Sequence, residues 1–291
     1  MFEFRIQTSS DQIDNLHDQL ALLGALAISM EDTGDQPIYE PAPGETIFWH
    51  DTTIVALFED EAPLQGIHDY LQSLQADGTV KSFAQKEVLQ QDWVRVCLDQ
   101  FTPMQFGKRL WIVPSWHAAP DESAVNILLD PGLAFGTGTH PTTRLCLEWL
   151  DGHIQGGETV IDYGCGSGIL AIAALKLGAD SVAAVDHEPQ ALEATRMNAT
   201  QNLIAEDRIS VFTPDEFSAT PVDILIANIL AQPLIDLAPH FATLVKLGGH
   251  IVLSGIFKQQ ATEVSDAYQA AFDMATPTCC DDWIRLEGVK R

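Results

Sequence analysis

Thr159-Val160-Ile161-Asp162-Tyr163-Gly164-Cys165-Gly166-Ser167-Gly168-Ile169-Leu170-Ala171-Ile172-Ala173-Ala174-Leu175 carries the clearest architectural signal in the chain. A short apolar run, three glycines in five positions and a second apolar run of helical character read as a buried parallel strand turning tightly into a helix. Glycines at Gly164, Gly166 and Gly168 accept positive φ and keep Cβ atoms out of the path of a ligand packed on the turn. A dinucleotide fingerprint wants a further glycine one position later, which leaves room for a pyrophosphate at the helix N-terminus. Ile169 holds that place; a glycine-rich turn with no ligand, or a nicotinamide site, is the alternative reading.

The D-x-G-x-G-x-G spacing resembles motif I of the Rossmann-like methyltransferases, which bind S-adenosylmethionine. Ser181-Val182-Ala183-Ala184-Val185 reads as the next strand, ended by Asp186, with His187-Glu188-Pro189 opening the next helix. An acid about twenty positions past the glycine turn can accept hydrogen bonds from both ribose hydroxyls with its two oxygens. Asp186 is the candidate for that role; the alternative is that Asp186 or Glu188 only caps the helix ahead of Pro189.

Strands alternate with helices from residue 158 onward: Glu158 to Ile161, Val182 to Val185, Ile209 to Phe212, Val222 to Ala227 and His250 to Leu253. Such alternation predicts a parallel sheet covered on both faces, with ligands at the carboxyl ends of its strands. Asp162, Asp186 and Asn228 fall at such ends. Asn228 carries a side-chain amide that can accept from an attacking amine while donating elsewhere; it is the candidate catalytic residue, with a plain strand-end turn former as the alternative. Leu129 to Arg144 is a glycine-punctuated loop running into a helix, with Pro141 suited to the first turn and Thr139 or His140 to its cap. The exposed amides and hydroxyls there can receive a carboxylate such as the methionine end of the cofactor. His140 alone is assigned no chemistry.

Before this region, Phe4 to Gln7, Ala25 to Ser29, Thr53 to Phe58 and Val80 to Val88 read as strands, with helices at Asp11 to Leu23 and about Leu64 to Leu74. That β-α-β-β-α-β order suggests a small ferredoxin-like α+β domain over 1–90. An aromatic-rich connector over 91–125, holding a strand at Leu110 to Val113, joins it to the α/β Rossmann-like catalytic domain over 126–291.

Among 291 residues, 15 Lys and Arg stand against 41 Asp and Glu, a formal charge of −26. That field opposes a polyanion, so direct nucleic-acid recognition is not expected. Residues 1–92 hold 17 acids and three bases, a density that would steer a basic protein partner or simply maintain solubility. Five cysteines without C-x-x-C spacing point to free thiols in a reducing cytoplasm, not to a disulfide frame or metal site. No signal segment or membrane-spanning run is read, and a monomer is expected.

The runs DPGLAFGTGTHPTT, VIDYGCGSGILAIAALKLGA and ANILAQPL, with FGKRLWIVPSW and LSGI, resemble the bacterial ribosomal-protein methyltransferase family PrmA over nearly the whole chain. The loop ending in HPTT is far more specific to that family than the glycine motif. The resemblance implies a cytoplasmic enzyme moving methyl groups from S-adenosylmethionine to the α-amine and lysine ε-amines of the eleventh large-subunit ribosomal protein. It also implies a substrate-gripping N-terminal domain on a mobile linker, and cofactor contacts at Thr143, Gly164, Asp186 and Asn228, with Gly166 beside them in the turn. Two departures stand out. Cys97 occupies a place where the family often has a second tryptophan, and Asp186-His187-Glu188-Pro189 replaces the usual D-x-D-P while keeping the acid.

The chemistry sets its own demand. Methyl transfer is an in-line displacement, so an enzyme contributes mainly by holding the amine lone pair opposite the sulfur–carbon bond in a water-poor site. A lysine near pKa ~10.4 must first lose a proton, costing about 4 to 5 kcal/mol at neutral pH, against roughly 1 kcal/mol for an α-amine. No dedicated base is evident, and desolvation is expected to lower the lysine pKa. A base-flipping methyltransferase is disfavoured, because Asn228-Ile229-Leu230 replaces an N-P-P-Y-like clamp. A non-catalytic S-adenosylmethionine sensor or acidic binding module remains the alternative from another class.

Overall fold

The computed structural model describes residues 1–34, 36, 38, 47–60, 62–88, 101–130, 138–218 and 220–291. Much of the acidic loop between Glu31 and Glu45, the Asp92 to Cys97 part of the connector, and 131–137 of the glycine-punctuated loop lie outside the described residues. Chain contacts divide the molecule into two units, Met1–Val96 and Cys97–Arg291.

The first unit runs β1 (Phe2–Ser9), α1 (Ile13–Leu22), β2 (Ala27–Asp32), β3 (Asp51–Phe58), α2 (Leu64–Ala76) and β4 (Val80–Glu87). Its four strands form an antiparallel sheet in the order β2-β3-β1-β4. Alternation puts Phe4 and Ile6 of β1, with Ile54, Ala56 and Phe58 of β3, on the face that meets Leu16 and Leu20 of α1 and Ile67 and Leu71 of α2.

The second unit is built on a sheet in the order β10-β9-β8-β11-β12-β15-β13, with β14 also on β15. Its members are β8 (Thr159–Tyr163), β9 (Ser181–Val185), β10 (Ile209–Phe212), β11 (Val222–Asn228), β12 (Val245–Phe257), β13 (Phe272–Met274), β14 (Thr278–Cys280) and β15 (Trp283–Lys290). The first five strands in that order are parallel and β15 runs antiparallel to β12. Helices α3 (Pro141–His153), α4 (Ile169–Leu177), α5 (Pro189–Gln201), α6 (Ala231–Leu244) and α7 (Ala261–Tyr268) cover the sheet. Successive residues serve opposite cores: Ile224 and Ile226 of β11 pack in one, Leu225 and Ala227 in the other. Burial on both faces explains why these strands read as continuous apolar runs. The strand order reverses at β8 and β11, so the crevice above their carboxyl ends is where a ligand site is expected in such a sheet.

The stretch expected within the connector folds against this unit. Strands β5 (Met104–Phe106), β6 (Leu110–Val113) and β7 (Val125–Leu128) make a small sheet whose Phe106, Leu110, Ile112 and Ile127 enter the core shared with α3 and α4. The turn between β5 and β6 is anchored by the buried Asp151 of α3, which accepts from the Lys108 and Arg109 N–H groups at 2.7 and 3.1 Å. Gly107 fits because a Cβ there would lie 2.2 Å from the Asp151 Oδ2, so the FGKR sequence is shaped by a helix more than forty residues away.

Helix α5 ends in a Schellman turn: Leu203 N–H donates to the Thr200 carbonyl and Ile204 N–H to that of Ala199, both at 3.0 Å. Leu203 takes the left-handed position, at φ 57° and 90% exposed, where glycine is the usual occupant. A leucine held there costs about 1 to 2 kcal/mol, partly offset by the greater unfolded-state entropy of glycine. Leu203→Gly is therefore expected to stabilise the protein by about 0.5 to 1 kcal/mol. Chemical denaturation reads this as a raised midpoint at unchanged slope; a lowered midpoint would contradict it.

Candidate functional site

The glycine turn is pinned to the end of β9. Gly164 and Cys165 N–H groups both donate to the Val185 carbonyl, at 2.7 and 3.0 Å. Gly164, Gly166 and Gly168 all have positive φ, of 82°, 55° and 78°. Gly164 has a second constraint, since a Cβ there would meet Ile229 Cγ2 at 2.2 Å.

Helix α4 starts from Gly168, which has no side chain to cap it. Asp162 supplies the acceptor instead, its Oδ2 taking the Ala171 N–H at 2.9 Å. The carboxyl is wholly buried and its Oδ1 has no hydrogen-bond partner among the described residues. Burial, aided by the nearby negative Asp186, pushes the Asp162 pKa up to about 7, against the single Ala171 hydrogen bond that lowers it.

Asp186, about 9% exposed, follows β9 and spans two backbone segments. Its Oδ2 accepts from Gly166 N–H at 2.9 Å and its Oδ1 from Glu188 N–H at 3.0 Å. Each oxygen has lone-pair capacity beyond one such bond. The same carboxylate therefore orders the turn and the entry to α5 while lining a cavity.

On the other side, Asn228 ends β11 and donates from Nδ2 to Thr143 Oγ1 at 3.4 Å. Thr143 sits in the first turn of α3, which begins as its sequence suggests, with Pro141 in the first turn and His140 as the capping residue. His140 Nδ1 lies 2.7 Å from Thr142 Oγ1, and burial lowers its pKa, favouring the neutral imidazole.

Thr143, Gly164, Gly166, Asp186 and Asn228 converge on one cavity of about 320 Å³, within the usual size range of small-molecule sites. Its described lining includes Asp186 and Glu188 but no Lys or Arg. The electrostatics therefore suit a nucleoside carrying positive charge and oppose a phosphate. Through Gly164, Asp186, His187, Asn228 and Ile229 this cavity shares a wall with a second one of about 600 Å³. The second is mostly apolar, walled by Tyr163, Leu230, Pro233, Leu237 and Trp283, with His140 on its edge.

These apolar walls escaped the sequence reading. Trp283 is about 120 residues downstream of the glycine turn and arrives through the antiparallel strand β15. Its ring stacks on Phe257 at 3.9 Å and meets His140 edge-on at 4.8 Å. The period-2 burial of Ile284 and Leu286 was available as a strand signal; Arg285, an arginine buried to 9% exposure between them, obscured it.

Among the described residues no group of three His, Cys, Asp or Glu side chains is placed to hold a metal, and no helix is long and apolar enough to cross a membrane.

Comparison with known proteins agrees with the architecture. The family model for ribosomal protein L11 methyltransferase (PrmA) matches residues 1–291. Ribosomal protein L11 methyltransferase of Marinobacter nauticus is 52% identical over 292 residues, covering 99% of this chain and 98% of that protein. That of Azotobacter vinelandii is 49% identical over 289 residues, covering 99% of each. The crystal structure of a ribosomal protein L11 methylase from Lactobacillus delbrueckii superposes with a TM-score of 0.59 at 33% identity, covering 66% of this chain and all of that one. With a Rossmann-like sheet, a glycine turn at its switch point and family-wide similarity from end to end, the chain belongs to the ribosomal protein L11 methyltransferase family and is a methyltransferase.

Proposed function

We propose that the smaller cavity holds S-adenosylmethionine and that the larger one admits the amine it methylates. The observation carrying this reading is the wall the two cavities share, formed by Gly164, Asp186, His187, Asn228 and Ile229. Asp186 suits the ribose hydroxyls, with both oxygens already fixed by backbone N–H groups and both retaining acceptor capacity. Gly164 and Gly166 let the ligand approach the backbone, while Thr143 and Asn228 close the opposite side. Bound there, S-adenosylmethionine supplies an electrophilic methyl group on a sulfonium.

The rest of the work belongs to this chain. Asn228 Oδ1 accepts a hydrogen bond from the incoming amine while its Nδ2 stays on Thr143. Leu230, Pro233 and Trp283 exclude water from the amine, and that desolvation favours the neutral form of a lysine, which is the nucleophile. His140, engaged with Thr142, shapes the edge of the larger cavity. Substrates on this reading are lysine ε-amines and the N-terminal α-amine of a basic large-subunit ribosomal protein, in the cytoplasm. The acidic first unit, 1–90 on this reading, attracts that partner, and the chain ahead of β5 links it to the catalytic unit. Neither a nucleic acid nor a metal takes part, and the enzyme works as a monomer.

The test is to incubate the protein with methyl-labelled S-adenosylmethionine and ribosomal proteins from cells lacking the enzyme. One labelled band at the L11 position is expected, with Asp186→Ala lowering the rate at least about 100-fold. That variant loses the charged acceptor of two backbone N–H groups along with the ribose contact, together worth about 3 kcal/mol or more. Label in RNA would overturn the substrate assignment.

A further inference from the structure

Resting on that cofactor reading, we infer that Thr195, a residue outside the cavity, is a positioning residue that holds the glycine turn in its cofactor-binding shape. Thr195 lies on α5 and is fully buried behind the turn. Its Oγ1 donates to the Gly166 carbonyl at 3.1 Å and lies 3.3 Å from Cys165 Sγ. One turn further along the same helix face, Asn198 Nδ2 donates to the Ser167 carbonyl at 2.8 Å.

The consequence follows from which atoms of Gly166 are held. Its N–H is taken by Asp186 Oδ2 at 2.9 Å and its carbonyl by Thr195. A residue with no side chain and a left-handed φ of 55° has a wide choice of backbone states when unrestrained. Here both of its peptide neighbours are clamped by side chains from two different elements, the end of β9 and the middle of α5. A turn ordered in advance binds its ligand without losing that freedom on binding, which raises affinity without adding a contact.

Thr195 has two separable parts. The hydroxyl makes the hydrogen bond, while the Cγ2 methyl packs against Gly168, where a Cβ would come within 2.8 Å of it. Burial pushes the Cys165 thiol pKa up, so the sulfur stays a neutral thiol and offers no competing charge to the hydroxyl. Asp186 cannot report on turn order alone, because the cofactor reading also gives it the ribose. Thr195 can, since it touches the turn and lines neither cavity.

The experiment uses the full chain and three proteins: wild type, Thr195→Val and Thr195→Ser. Valine keeps the volume and methyl but leaves the Gly166 carbonyl without its donor; serine keeps the donor and loses the methyl. Calorimetric titration with S-adenosylmethionine is expected to give a Kd about ten-fold higher for Thr195→Val, equivalent to about 1.4 kcal/mol. Thr195→Ser should stay within about three-fold of wild type. At saturating cofactor kcat should change less than about two-fold in both, since Thr195 touches no reacting atom. Amide exchange without ligand should accelerate at 164–168 in the valine variant only. Equal Kd values in valine and wild type, or equal losses in valine and serine, would overturn the inference. Absence of S-adenosylmethionine binding by the wild type would instead overturn the cofactor reading.

Discussion

Gly255→Ala is expected to cost the protein about 3 kcal/mol or more and to abolish methyl transfer in whatever fraction still folds. Gly255 lies in β12 with φ 86°, a conformation that already penalises any residue with a Cβ by roughly 1 to 2 kcal/mol. Space is the larger problem. An added Cβ would sit 2.2 Å from the Ile229 carbonyl oxygen, 2.8 Å from its carbon and 3.1 Å from its nitrogen. These are backbone atoms, so no rotamer change relieves the overlap, and either β12 or the Asn228-Ile229-Leu230 segment must move. Ile229 also packs onto Gly164 and forms part of the wall between the two cavities, so its displacement disturbs both. Denaturant unfolding measures the first effect and a methyl-transfer assay on the surviving folded protein the second. Near-native stability with full activity would show that the segment yields more readily than this geometry allows.

The second large effect concerns pH. Asp162 has its pKa raised from the usual value near 3.8 to about 7 by burial, with one N–H donor and, among the described residues, no partner for Oδ1. Between those two values the unfolded chain is ionised at this position while the native one still holds its proton. The native state therefore binds more protons, and stability must fall as pH rises. The contribution of the protonated carboxyl is fully present below about pH 4 and gone above about pH 7, at roughly 1.4 kcal/mol per unit or about 4 kcal/mol in all. Asp162→Asn has nearly the same shape, retains an oxygen for the Ala171 N–H and has no proton to lose. Its stability relative to wild type should climb with pH across this window and level off above it. Unfolding curves for both proteins at pH 4.5, 5.5, 6.5 and 7.5, without ligand, decide the matter. A constant difference would mean that Asp162 ionises as an ordinary carboxylate.

Both predictions depend on contacts that sequence could announce only in part. Asp162 is visible as the acid preceding the glycines. Its role as the distant cap of α4 follows only once Gly168 is known to start that helix without a side chain. Gly255 sits in a strand-like run with no local signal that another strand's end touches it. Asp186 was legible because its distance from the glycine turn reflects one βαβ unit, whose dimensions are nearly constant. Thr195 was not, because a threonine in mid-helix looks like an indifferent choice until the helix is laid behind the turn.

The alternation of strands and helices, the glycine turn and the placement of Asp186 and Asn228 at strand ends were legible in the chain alone. These are local properties, set by apolar periodicity and backbone chirality within about thirty residues. What those ends face depends on how the strands are ordered in the sheet. The order β10-β9-β8-β11-β12-β15-β13 brings Trp283 from the last strand and Thr143 from the helix before the first parallel strand to the same crevice. It also draws Met104 to Leu128 onto the core of the second unit through Asp151. Such contacts join residues some forty to 140 apart along the chain. They depend on which faces remain uncovered once the sheet has formed, and no local pattern records that.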